Sequence, residues 1–187
     1  MSEWSGLAMV GRGESDAPHP EMFEAKIRST VRYADPSCWI TAAAVALAIK
    51  DSGIALDECC HEIGVVTVSD DGPRASMAEV EALGTTGFSS PLRYAASSPG
   101  AMVGVSCIAF GLRGPTLNFT MAPSDGVPMA LAMCQGWISR SVARFMVLAT
   151  YQDGSEGSAL SRAVVLGPSA AGNTTTTVPI EWLTGKW

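Results

Sequence analysis

The chain has 187 residues, 47% of them hydrophobic and 16% charged, with a formal net charge of −6. That length suits one compact domain, and the composition argues against a disordered chain. No Lys/Arg run is longer than one residue, which argues against nucleic acid as a partner. The apolar stretches Ile40–Ile49 and Ala101–Phe110 are about half of the roughly 20 residues a membrane helix requires, and Met1–Arg12 lacks the basic start of a secretory signal. The expectation is a soluble cytoplasmic protein that neither spans nor binds a membrane.

Leu7–Gly11 reads as a short strand that ends in the loop Gly11-Arg12-Gly13, and Glu14–Pro20, with its prolines and acids, as an irregular connection. Asp35 can cap a helix, Pro36 suits its first position and Gly53 its left-handed end. Between them Ile40, Ala43, Ala44, Leu47 and Ala48 recur at helical spacing, with small residues that allow close approach to a sheet. Ile63–Ser69 is a continuous apolar, largely β-branched run, the pattern of a strand buried on both faces. Ser76–Leu83 predicts a short helix ended by Gly84, and Gly100–Phe110 another stopped by Gly111. Gly114-Pro115 breaks the chain before a short strand, Leu117–Thr120. Ser124 or Asp125 can cap a helix over Gly126–Arg140, with Pro128 in the first turn, where amides need no partner.

Phe145–Thr150 and Ala159–Leu166 predict two more apolar strands across the turn Gln152–Gly157. Residues 1–167 thus form the domain. Residues 168–187, with Thr174–Thr177 in a row, form an extended tail that Trp182 and Trp187 can anchor. Apolar strands alternating with capped helices indicate the α/β class, with a mixed, mostly parallel sheet covered by helices.

The five cysteines, Cys38, Cys59, Cys60, Cys107 and Cys134, are odd in number and contain no CxxC pair. Most lie in apolar segments, where a thiol behaves as a small hydrophobe. With His19 and His61 the only histidines, no metal site is expected, and no cofactor. Cys59-Cys60-His61-Glu62 places thiol, imidazole and carboxylate side by side, but consecutive side chains point in different directions, so adjacency does not make a dyad.

Four stretches, in order, resemble the N-terminal half of a β-ketoacyl synthase of the thiolase-like superfamily. Asp35–Ile54, closing on Lys50-Asp51-Ser52-Gly53-Ile54, resembles that family's long first helix, and Ile63–Ser69 its following strand. Cys107–Phe119, CIAFGLRGPTLNF, resembles the helix–GlyPro–strand unit that leads to the nucleophile. Phe145–Thr150 with Ala159–Leu166 resembles the strand pair that closes the half. The resemblance implies half of a thiolase-like fold, serving polyketide or fatty-acid biosynthesis.

The same resemblance exposes a departure. Where the family carries a cysteine at a strand-to-helix elbow, this chain reads Thr120-Met121-Ala122-Pro123-Ser124-Asp125-Gly126, with Pro123 at the nucleophile position. Proline offers neither a nucleophilic atom nor an amide for an oxyanion. The family's two catalytic histidines belong to its second half, and His19 and His61 do not match them. The expectation is a protein that does not condense acyl groups and acts by interaction, as a homodimer or as a heterodimer with a ketosynthase.

The resemblance implies that Leu117, Asn118, Phe119 and Thr120 pair across a two-fold axis, with alternation setting Asn118 opposite Leu117 and Phe119. Met121, Met129 and Met133 can line a residual acyl pocket or an interface. Arg113, Arg140 and Arg144 can meet an acidic acyl carrier protein. The alternative reading is an acyl-transfer, dehydration or cyclisation enzyme with relocated residues, Ser124 and Asp125 being the candidates. A third is a binding protein for a small acyl metabolite.

Overall fold

The computed structural model describes residues 6–70, 72–85, 87, 90–154, 158–169 and 178–185. Its strands are β1 (Leu7–Ser15), β2 (Ile63–Ser69), β3 (Thr116–Thr120), β4 (Phe145–Asp153) and β5 (Ala159–Pro168). They form one sheet in the order β1-β5-β4-β2-β3. All seven residues of β2 are buried. Buried peptide groups need partners on both sides, and β2 finds them in parallel neighbours, β3 and β4. The β4–β5 and β5–β1 pairings are antiparallel. The sheet is therefore evenly mixed instead of mostly parallel. The connection from Asp153 to Ala159 is too short for a crossover, so β4 and β5 must form a hairpin.

Alternation along the strands divides the core between two helical layers. Val65, Val147, Ala149, Ala163 and Val165 face one side, packed with α2 (Pro36–Ser52) and α6 (Ala101–Phe110). Val66, Val68, Met146, Leu148, Val164 and Leu166 face the other, packed with α7 (Pro123–Ser139) and α8 (Ile180–Thr184). Shorter helices α1 (Ala25–Thr30), α3 (Leu56–Cys59), α4 (Arg74–Thr85) and α5 (Pro91–Ala96) complete the connections. Among the described residues, no single helix is long and apolar enough to cross a membrane.

The first long helix begins and ends where the capping residues predict. The carboxylate of Asp35 accepts from the Ser37 amide at 2.9 Å and from the Ser76 amide at 2.7 Å, so one side chain ties the start of α2 to α4. Gly53 closes α2 with φ of 66°. β1, by contrast, runs on through Gly11 and Gly13 to Ser15. These glycines are points of contact, not breaks. A Cβ on Gly11 would lie 2.4 Å from the Ala48 carbonyl oxygen, and one on Gly13 2.3 Å from that of Ala44. Helix and strand touch backbone to backbone.

Three further expectations are corrected. α7 starts at Pro123, with Ala122 as its cap residue, so neither Ser124 nor Asp125 caps it. Pro128 consequently lies inside the helix, where it has no N–H to offer the Ser124 carbonyl one turn back. The tail is not simply extended: Val178 and Leu183 enter the core, and Ile180–Thr184 is helical. Arg162 holds this segment, its guanidinium 5.4 Å from the Trp182 ring centroid and its Nη1 donating to the Trp182 carbonyl. Thr174–Thr177 and Trp187 lie outside the described residues.

Because the Gly13 site has no room for a methyl group, Gly13→Ala should push α2 off the sheet. The expected loss is about 2 kcal/mol of unfolding free energy, read as a lower urea midpoint at unchanged slope.

Candidate functional site

The elbow is positioned by the Gly114-Pro115 pair. A Cβ on Gly114 would sit 2.5 Å from the Ile63 carbonyl group, so only glycine lets the chain pass this close to β2. The Gly114 amide donates to the Ile63 carbonyl at 3.0 Å, and the Pro115 carbonyl accepts from the Val65 amide at 2.9 Å. That fixes the register of β3. At its far end Met121 donates to the Ser69 carbonyl at 3.1 Å. Ala122 then turns the chain, and Pro123 occupies the first helical position, buried. A proline fits there because that amide has no intrahelical partner in any case.

The position the resemblance assigns to a nucleophile therefore holds a buried ring. Ser124 and Asp125 follow it, both exposed. Asp125, in the first turn, complements the positive end of the helix. Beneath the elbow there is little space: a Cβ on Gly126 would lie 2.4 Å from Val68 Cγ1 and 3.0 Å from Met121 Cγ. Met121 thus faces the core, while Met129 and Met133 face outward on α7, 50% and 37% exposed. Cavities of about 380, 420 and 330 Å³ are lined from the segments around Arg32–Pro36, Ala75, Leu92, Ile108 and Tyr151, and none of these three reaches Pro123 or the methionines.

Arg113, Arg140, Arg144 and the segment Cys59–Glu62 lie at the opposite end of the parallel strands, roughly 20 Å away, the length of β2. The Arg113 amide donates to the Cys60 carbonyl and the Arg144 amide to the Glu62 carbonyl, just before β2. Arg140, at the end of α7, lies on this side as well, its Nε bonded to the Gly136 carbonyl at 2.8 Å. Arg144 is 3.8 Å from Glu62 and stacks on Phe145. Cys59 Sγ donates to the Ala55 carbonyl at 3.2 Å, and His61 is exposed. His19 pairs with Glu21 at 3.0 Å, before α1.

All five cysteines are free. Burial pushes the Cys38 and Cys134 thiols up to about 12 and that of Cys107 to about 11, and raises Cys59 as well. An activated thiol requires the opposite shift. Among the described residues no group of three or more His, Cys, Asp or Glu could hold a metal ion.

What the sequence could not show is the direction of the backbone along β3. Among the described residues it is an edge strand, paired only with β2. The bonds made by Pro115 and Met121 point toward β2, so alternation sends the peptide groups of Thr116, Asn118 and Thr120 outward. The Asn118 side chain accepts from Thr67 Oγ1 at 2.7 Å on one face, while Leu117 and Phe119 pack on the core of the other. The opposite edge of the sheet is shielded differently: the outward amide of Arg12 in β1 donates to Asp51 of α2 at 2.9 Å. Peptide groups that point outward from an edge strand are free to pair in general with a further strand.

No family model and no curated protein matches the chain. Solved structures do. A chain of a type II polyketide synthase complex, an acyl-carrier protein with its ketosynthase bound to the hexaketide, matches with a TM-score of 0.66 at 17% identity, over 87% of this chain and 62% of that one. A β-ketoacyl synthase from Burkholderia phymatum gives 0.69 at 14% identity, over 88% of this chain and 59% of that one. A chain from a ketosynthase in complex with its chain length factor, from Xenorhabdus doucetiae, gives 0.63 at 13% identity, over 97% of this chain and 92% of that one. The chain spans about three fifths of the first two. The fold is ketosynthase-like, half of a thiolase-type fold.

The thiols provide a direct check of the burial argument. In the folded protein at pH 8, iodoacetamide should leave Cys38 and Cys134 unmodified by peptide mass spectrometry. Labelling of Cys107 should rise only as the pH climbs toward 11, since its raised pKa keeps it protonated below that. Rapid modification of Cys107 or Cys134 at neutral pH would contradict the packing described.

Proposed function

We propose that this protein acts by association and not by condensation: a ketosynthase-like subunit whose β3 edge receives a strand from a ketosynthase partner in polyketide-type assembly. The observation that carries the reading is the pairing of two features on one segment. Pro123 stands buried where an elbow would present its nucleophile, and the strand leading to it has an outward-facing, unprotected backbone. The elbow keeps its shape without its chemistry, so what it positions is the edge. Solved relatives of this fold include a ketosynthase with its chain length factor and an acyl-carrier protein with its ketosynthase. By the same reading Arg113 and Arg144, at one end of the sheet, form the face an acidic carrier protein would meet.

Acyl chemistry is tested first. Incubation with a radiolabelled acyl thioester should leave the protein unlabelled, and Pro123→Cys should not create condensing activity, because neither histidine of this chain lies at the elbow. Stable label mapped to Ser124 or a cysteine overturns the reading.

Association is tested at Asn118. Its amide points away from β2, so Asn118→Pro removes a donor from the open edge and leaves the β2–β3 ladder intact. Affinity for a ketosynthase co-expressed from the same genome should fall by at least about fivefold, the weight of one lost buried hydrogen bond at roughly 1–3 kcal/mol. Asn118→Ala, which loses the Thr67 contact but keeps the amide, should bind nearly as wild type. Equal binding by the proline variant would place the contact elsewhere.

A further inference from the structure

The outer face of α7 takes no part in the edge contact, and it is built unlike the surface around it. Asp125, Met129, Ala132, Gly136 and Arg140 recur every three or four residues and so form one stripe along the helix. The stripe carries a charge only at its two ends. Met133 lies beside it, and Met129 and Met133 are 50% and 37% exposed. Gly136 is the informative residue. A Cβ there would meet only the guanidinium of Arg140, its Nη2 at 3.4 Å, the far end of a flexible side chain. Packing within the chain requires Gly126, against Val68, but gives no reason for a second glycine that weakens the helix interior.

We propose that α7 packs antiparallel against α7 of a second copy of this chain, about a two-fold axis passing between Ala132 and Met133. Charge sets the register. An alignment that brings Asp125 to Arg140 of the second copy also brings Met129 to Gly136 and Ala132 to Met133. Each methionine then faces one of the smallest residues of the opposite helix, and the apolar centre is closed at both ends by an ion pair. A parallel alignment in register would instead oppose like charges. Gly136 and Ala132 let the helix axes approach to the short end of the usual 8–10 Å range. The contact is isologous, so it closes on itself as a dimer. It uses neither Asn118 nor the β3 edge, and stands or falls separately from that contact.

Sedimentation equilibrium of the full chain at micromolar concentration should show a dimer. Asp125→Arg or Arg140→Asp alone should weaken it by at least about tenfold, because each opposes like charges at both ends, and the double reversal should restore it to within about threefold of wild type. Gly136→Leu should also weaken the dimer by at least about tenfold while the helical circular dichroism of the protein does not fall, since leucine favours the helix. Asn118→Pro should leave this dimer intact. A monomeric wild type overturns the proposal. So does a dimer indifferent to the single reversals, a double reversal that fails to restore it, or a dimer lost with Asn118→Pro alone.

Discussion

The contact on which the rest of the molecule depends is the approach of α2 to β1, closer than any side chain would permit. Gly11 and Gly13 present bare backbone to the carbonyls of Ala48 and Ala44. With no side chains to hold the layers apart, α2 sinks between β1, β5 and α6, and every residue from Ser37 to Val45 is buried. Asp35 then carries this placement outward, since the same carboxylate that starts α2 also receives an amide of α4. The same seating brings Asp51 of α2 to the outward amide of Arg12 in β1, one edge of the sheet, while β3 forms the other.

Much of this was legible in the amino-acid order. Asp35-Pro36 and Gly53 marked the ends of α2 because capping is local chemistry, settled within a few residues. Ile63–Ser69 announced a central strand because seven buried residues leave no polar face to write into the sequence. The departures share one cause, a residue whose local habit was overridden by its neighbours in space. Gly11 and Gly13 look like breaks when only their own conformational freedom is considered, and look like contacts only once α2 is opposite them. Pro123, weighed as a lost nucleophile, was at the same time a good first residue for a helix. Ile180–Thr184 is too short to show a period, and takes its shape from Arg162 and the core beneath it.

The candidate site was legible in kind but not in arrangement. Side-chain alternation separates Asn118 from Leu117 and Phe119, and that much follows from a strand. Which peptide groups face outward follows from the bonds at Pro115 and Met121, and no residue type encodes those. Arg113, Arg140 and Arg144 are scattered in sequence, and only the parallel run of β2, β3 and β4 brings two strand starts and one helix end to the same side. The three methionines, grouped by sequence around the elbow, are divided by the helix into one inward and two outward residues.

The order of strands also bears on how the chain is made. β1 is synthesised before the other four strands, yet its partner in the sheet is β5, so that Leu7 pairs with Pro168. Until the last strand leaves the ribosome, β1 has no edge to join and α2, apolar on almost every side, has no complete floor. Contacts this distant in sequence form slowly, and the waiting helix is the kind of exposed apolar surface that chaperones exist to cover. The β4–β5 hairpin, which can close on itself as soon as it emerges, is then the step that lets β1 find its place.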